Sequence, residues 1–118
     1  MQTGKGKRRK KKTGSRGQLE LEAELLDTGL PAPKPGDMYI IPIMRYRVLK
    51  VVAGQYPHQY VFVGHGMPDL QSPQFRIGAR HRMRLTREFP EHSTILNGFE
   101  DESRDAGVFF CLSFEALN

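Results

Sequence analysis

Leu19, Leu21, Ala23 and Leu25 alternate with Glu20, Glu22 and Glu24. A period of two marks a strand with one face buried and one in water. Leucine, alanine and glutamate favour helix by propensity. A helix would gather Leu19, Glu22 and Leu26 near one stripe, a poorer separation, so the pattern predicts a strand. Residues 29–37 contain Pro31, Pro33 and Pro35 and read as a loop. From Met38 to Val52 the chain is rich in tyrosine, isoleucine and valine, an extended signal interrupted by Pro42. One long bent strand and two shorter ones fit equally well. Within it Arg45, Arg47 and Leu49 share one face, and Met44, Tyr46 and Val48 the other. After a turn at 53–57, residues 59–63 form a short strand, ended by a glycine-rich loop at 64–69. Arg80 to Arg87 alternates again, with His81, Met83 and Leu85 facing the core and Arg80, Arg82 and Arg84 facing out. The stretch 89–103 has little period and two breakers, Pro90 and Gly98. Asp105-Ala106-Gly107 is a turn. Val108 to Phe114 is the last strand, with Val108, Phe110, Leu112 and Phe114 predicted on the core face.

This is a chain of five or six strands with no convincing helical stretch. Closure of such strands on themselves removes exposed edges. The prediction is an all-β fold: a small five- or six-stranded Greek-key barrel of the oligonucleotide-fold (OB-like) type. A small β-sandwich is the alternative. A short helix in 66–74 or 88–97 would cap one barrel end. At 118 residues, a single domain at 18–118 is expected. The chain is far too short for a two-half dinucleotide-binding enzyme or a (β/α)8 barrel. The longest apolar stretch, Met38 to Met44, falls short of the roughly 20 residues a membrane helix needs, so no transmembrane segment is expected.

Charge changes this picture more than composition does. The chain has 18 basic and 13 acidic residues. Eight of the bases and none of the acids lie in residues 1–17, so residues 18–118 are net negative. The segment Lys7, Arg8, Arg9, Lys10, Lys11, Lys12 is the centre of a basic tail that the composition predicts to be disordered. The remainder runs in blocks: acidic at 18–37, basic at 38–87 and acidic at 88–118. A fold that brings them together neutralises most of the middle block; the competing reading is an arginine-rich binding face. No apolar stretch follows the basic run, so no signal peptide is read in the chain as given. Localisation stays open, secretion or an envelope site included.

The residues Tyr46-Arg47-Val48-Leu49-Lys50-Val51-Val52-Ala53-Gly54-Gln55-Tyr56, followed by Tyr60-Val61-Phe62-Val63-Gly64, resemble the netrin-like modules. Ile77-Gly78-Ala79-Arg80 fits the same pattern. The likeness covers about a third of the chain and implies a five-stranded barrel. It departs from that family in having only Cys111 where several disulfides are usual. No residue matches the N-terminal cysteine of its protease-inhibiting members, so the resemblance implies no inhibitor function.

Candidate chemistry is sparse. Cys111 sits in an apolar run and reads as a buried, inert thiol. His58, His65, His81 and His92 lack zinc-site spacing. His65 and Asp69 flank the glycine-rich loop and would need to meet His81 or His92 in space to hold a metal. His81 reads as a partly buried histidine with one hydrogen bond, and His58 and His92 as loop surface. No serine stands in a nucleophile elbow and no glycine loop has phosphate-binding spacing. Glu100-Asp101-Glu102 reads as solvated surface. A non-catalytic protein without cofactor or metal is therefore expected. Its candidate binding residues are Arg45, Arg47, Arg80, Arg82 and Arg84, with Tyr39 and Tyr60 as exposed aromatics. A protein partner on a sheet face is the expected ligand. The alternative is single-stranded nucleic acid, held by the arginines and the tail. Charge topology separates the two. Nucleic acid needs a continuous positive groove, whereas a protein-binding face predicts arginines paired with Glu20–Glu24 and Glu88–Glu102.

Overall fold

The computed structural model describes residues 18–29 and 39–117. The expectations on the basic tail, and on the proline loop beyond Gly29, lie outside the described residues. Six strands follow in chain order: β1 (Leu19–Asp27), β2 (Tyr39–Ala53), β3 (Tyr60–Gly64), β4 (Arg80–Thr86), β5 (Ser93–Leu96) and β6 (Val108–Leu117). A single 3-10 turn, Pro73–Phe75, lies between β3 and β4, and a one-turn helix α1, Glu100–Ser103, precedes β6.

Five of these strands close a ring. β1 is antiparallel to both β2 and β4, β4 is antiparallel to β6, β6 runs parallel to β3, and β3 returns antiparallel to β2. The closed ring is the predicted Greek-key barrel and not the sandwich alternative. The parallel pair β3–β6 requires a crossover, which the path from β3 through β4, β5 and α1 to β6 supplies.

The Met38–Val52 signal resolves into one long bent strand. β2 pairs with β5 over 39–42, with β3 over 43–47 and with β1 over 45–53. Pro42, which has no N–H to give, lies at the handover from β5 to β3. Three register shifts between β1 and β2 supply the bending that closes a small barrel. The helix expected within 88–97 is not there. That stretch contains β5, parallel to the start of β2, and the helix comes later, at α1. At the other expected place, 66–74, only the 3-10 turn at its end is helical; Ser72 caps it, accepting from the Gln74 N–H at 3.2 Å.

The β1 alternation is realised residue by residue: Leu19, Leu21, Ala23 and Leu25 are buried and the glutamates between them are not. They pack inside the barrel with Met44, Tyr46, Val61, Val63, Met83 and Leu85. A second cluster lies outside the ring, where Phe99 and Ala106 cover Ile43 of β2 and Phe62 of β3. The connection preceding β6 thus folds onto the outer β2–β3 surface.

The last strand corrects the sequence reading. Phe109 and Cys111 are the buried residues, and Leu112 is 46% exposed. The cause is a bulge. Leu85 pairs with Cys111 but Arg84 pairs with Ser113, leaving Leu112 without a partner. One extra residue reverses the parity of everything beyond it, so Phe109 and Cys111 point inward before the bulge and Phe114 packs on the core after it. Val108 and Phe110 face the other way, Val108 onto the outer cluster and Phe110 against Phe89.

Candidate functional site

Arg47 on β2 and Arg80, Arg82 and Arg84 on β4 lie on an outer face shared with β1 and β6, and their cross-strand neighbours include glutamates. Across the strands the register reads Lys50–Glu22–Arg82–Glu115 in one row, Arg47–Glu24–Arg80 in the next and Glu20–Arg84 in a third. The sign changes at every step. Arg82 Nε donates to Glu20 at 2.8 Å, and Arg47 is paired with Glu24. Glu20 first, then Glu22 and Glu115, hold the Arg82 guanidinium above its usual pKa. The acids interrupt the positive strip in every row. Because both partners stay largely in water, a double-mutant cycle on Arg82 and Glu20 should show little or no coupling in the midpoint of chemical denaturation.

Arg45 stands apart from this face. It lies under the outer cluster, 5.6 Å from the Phe99 ring centroid, and pairs with Glu102 of α1 at 2.7 Å. Its Nε is enclosed with no partner among the described residues. The two aromatics also separate. Tyr60 is opposite Arg47 in the β2–β3 register and is 41% exposed. Tyr39 begins β2 beside β5, far along the strand from the arginine rows. Tyr46 points into the core, as the alternation predicts, so no aromatic interleaves with Arg45 and Arg47 on β2. Of the acids expected to pair at 88–102, Glu102 does so with a middle-block arginine; Asp101 pairs with Arg104 three residues on.

A different constellation lies at the barrel's other polar feature, and sequence reading found only its pieces. His65, just past β3, and His81, on β4, both bond the hydroxyl of Tyr46 on β2. The Tyr46 Oη to His65 Nε2 distance is 2.8 Å and to His81 Nδ1 is 2.9 Å. His81 Nε2 lies 2.6 Å from the Gln74 carbonyl. All three side chains are buried. A carbonyl only accepts, so His81 Nε2 carries the proton and its Nδ1 accepts. Tyr46 must then donate to His81, and its oxygen accepts from His65 Nε2–H. The bonds fix both tautomers and leave His65 Nδ1 as a bare acceptor. Burial pushes His65 down to about 3, with His81 adding to the effect, and burial also lowers His81, partly offset by the bond to Gln74. Burial, and to a lesser degree Cys111, holds Tyr46 well above the usual phenol range. All three side chains are neutral at pH 7. His81 therefore makes two hydrogen bonds where one was expected, and it meets His65 but not His92, whose side chain is 89% exposed.

No protein-family model, no curated protein and no solved structure matches this chain.

Of the three residues of the polar chain, His65 alone lines a cleft. That cleft, of about 640 Å³, lies between the loop after β3 and strand β6. β6 pairs with β3 only as far as Phe110, and the cleft lies where that pairing stops. Cys111, at the same place, is buried, as its apolar neighbours predicted, and burial pushes its thiol up to about 12. Among the described residues there is no cluster of three metal-ligating side chains and no helix long and apolar enough to cross a membrane. Tyr46 was missed as a polar-site residue because an alternating strand marks it only as core. The one signal for it was a phenol at a fully inward position, which needs a hydrogen-bond partner there.

Proposed function

We propose that this chain is a non-catalytic binding barrel that engages a protein partner through its outer sheet face, with the basic tail as an accessory anchor to anionic surfaces. The observation that carries the reading is the sign alternation across β2, β1, β4 and β6. A nucleic-acid strand follows continuous positive potential, and here glutamates divide the arginines. Mixed charge of fixed register suits selection among protein surfaces. Arg47, Tyr60 and the exposed Leu49 stand close together on β2 and β3; tyrosine and arginine are the residue types that dominate interface energetics. The β2–β3 surface that oligonucleotide-type barrels commonly use is partly covered by the chain's own Phe99 and α1. The likeness of the β2–β3 hairpin to netrin-like modules bears on the barrel fold and adds no inhibitor activity.

The test is fluorescence anisotropy with a single-stranded oligonucleotide, comparing the full chain with residues 18–118 at two salt concentrations. The expected result is salt-sensitive binding by the full chain, through Lys7 to Lys12, and loss of at least tenfold in affinity for residues 18–118. Binding retained by residues 18–118 and abolished by charge removal at Arg80, Arg82 and Arg84 would replace this reading with a nucleic-acid module.

A further inference from the structure

The cleft beside His65 is separate from the charged face and has its own chemistry. Its lining residues include four aromatics, Tyr39, Phe75, Phe110 and Phe114, one acid, Asp69, and His65. Among the described residues, no lysine or arginine lines it. Phe75 and Phe114 stand edge-on to the His65 ring, each with centroids 5.1 Å from it. That packing holds the imidazole in place, and the hydrogen bond from Nε2 to Tyr46 fixes its rotation. The Gln74 carbonyl dictates the order of donors all the way to His65, so His65 Nδ1 carries a lone pair and no proton. Among the described residues nothing donates to it, and it is not one of the enclosed atoms left without a partner. The wall thus combines a fixed acceptor, a negative charge and the faces or edges of several rings.

A ligand that uses all three must donate a hydrogen bond, carry positive charge and have an apolar stem. Organic ammonium groups do so: they donate, they pair with a carboxylate, and they are attracted to aromatic faces. An anion would meet Asp69 and an acceptor lone pair, both repulsive. The volume suits an amine with a ring-sized stem rather than a bare ion. We infer that this cleft is a binding site for a primary ammonium group on an apolar stem, with Asp69 as counter-ion, His65 Nδ1 as hydrogen-bond acceptor, and Tyr39 and Phe114 among the rings that receive the stem.

A free amine and a lysine side chain share this chemistry, and the experiment separates them. The full chain is titrated with benzylammonium chloride, benzyl alcohol and benzoate by calorimetry, with the imidazole 15N resonances followed by NMR. Benzylammonium should bind best, benzyl alcohol at least about tenfold more weakly, and benzoate not at all, since loss of a charge-assisted contact costs on the order of a factor of ten. The His65 Nδ1 resonance should move with the ammonium ligand. Asp69→Asn and Tyr39→Ala change side chains at the surface and should each weaken benzylammonium while leaving the unfolding midpoint in place. A second titration uses acetyl-Gly-Lys-Gly-amide and its Nε-acetylated form. Binding of the first and not the second assigns the site to a lysine of a polypeptide, and binding of benzylammonium alone assigns it to a free amine. Benzyl alcohol or benzoate binding as tightly as the ammonium, no binding by either amine, or no movement of His65 Nδ1 would overturn the inference. None of these outcomes bears on the charged sheet face, so the two readings fail separately.

Discussion

Phe109→Ala should destabilise the barrel by about 3–5 kcal/mol, the range of buried phenylalanine truncations, whereas Leu112→Ala should cost less than about 1 kcal/mol. Phe109 is 4% exposed, meets Tyr56 edge-on at 5.7 Å and carries the Arg87 guanidinium 4.3 Å above its ring. Truncation removes contacts with the barrel interior and leaves that arginine over a void. Leu112 is the extra residue of the β6 bulge and is 46% exposed, so little surface returns to water on its truncation. Phe110→Ala should fall between them, because its ring packs on Phe89 outside the barrel. Midpoints of chemical denaturation measure all three. A larger loss at Leu112 than at Phe109 would mean that β6 runs without its bulge, with the parity that simple alternation assigns.

That bulge shows where the sequence was legible and where it was not. β1 and β4 could be read directly because each has one apolar and one charged face, and a regular strand keeps its parity from end to end. β6 is apolar on both sides before its bulge, with Phe109 and Cys111 inside and Val108 and Phe110 under the chain's own cover. Alternation carries no information when both faces are apolar, and nothing in Cys111-Leu112-Ser113 announces the inserted residue. The rows of alternating charge were half legible. The Glu20–Glu24 and Arg80–Arg84 patterns predicted outward ladders, but only the register placed them side by side. Arg45 was misplaced for a reason of the same kind: its strand parity is right, yet the covering segment with Phe99 and Glu102 comes from the aperiodic stretch 89–103, which predicts no position in space. The polar chain of Tyr46, His65 and His81 was legible only in parts, since three strands or strand ends must close into a ring before the side chains meet.

The same chain predicts how the barrel responds to acid. In the unfolded state His65 takes up a proton near its ordinary value of 6.5, while in the fold burial holds it down to about 3. Between these values the unfolded state binds more protons, so stability rises with pH through this window and is fully present above about 6.5. Lowering the pH from 7.5 to 5.0 should therefore remove about 2 kcal/mol, at 1.36 kcal/mol per pH unit below the unfolded value. His81, also lowered, acts in the same direction. His65→Gln tests the assignment: its amide keeps a donor for the Tyr46 oxygen and takes up no proton. The variant should show a visibly shallower fall between pH 7.5 and 5.0, with the remaining slope due to His81. Tyr46→Phe should do the opposite at neutral pH, lowering stability by about 2–4 kcal/mol, because it strands a buried donor on His65 and a buried acceptor on His81. A flat profile for the parent chain, or an unchanged slope in His65→Gln, would mean that the imidazoles are hydrated in solution. The barrel would then lack the fixed tautomers that give its cleft a bare acceptor.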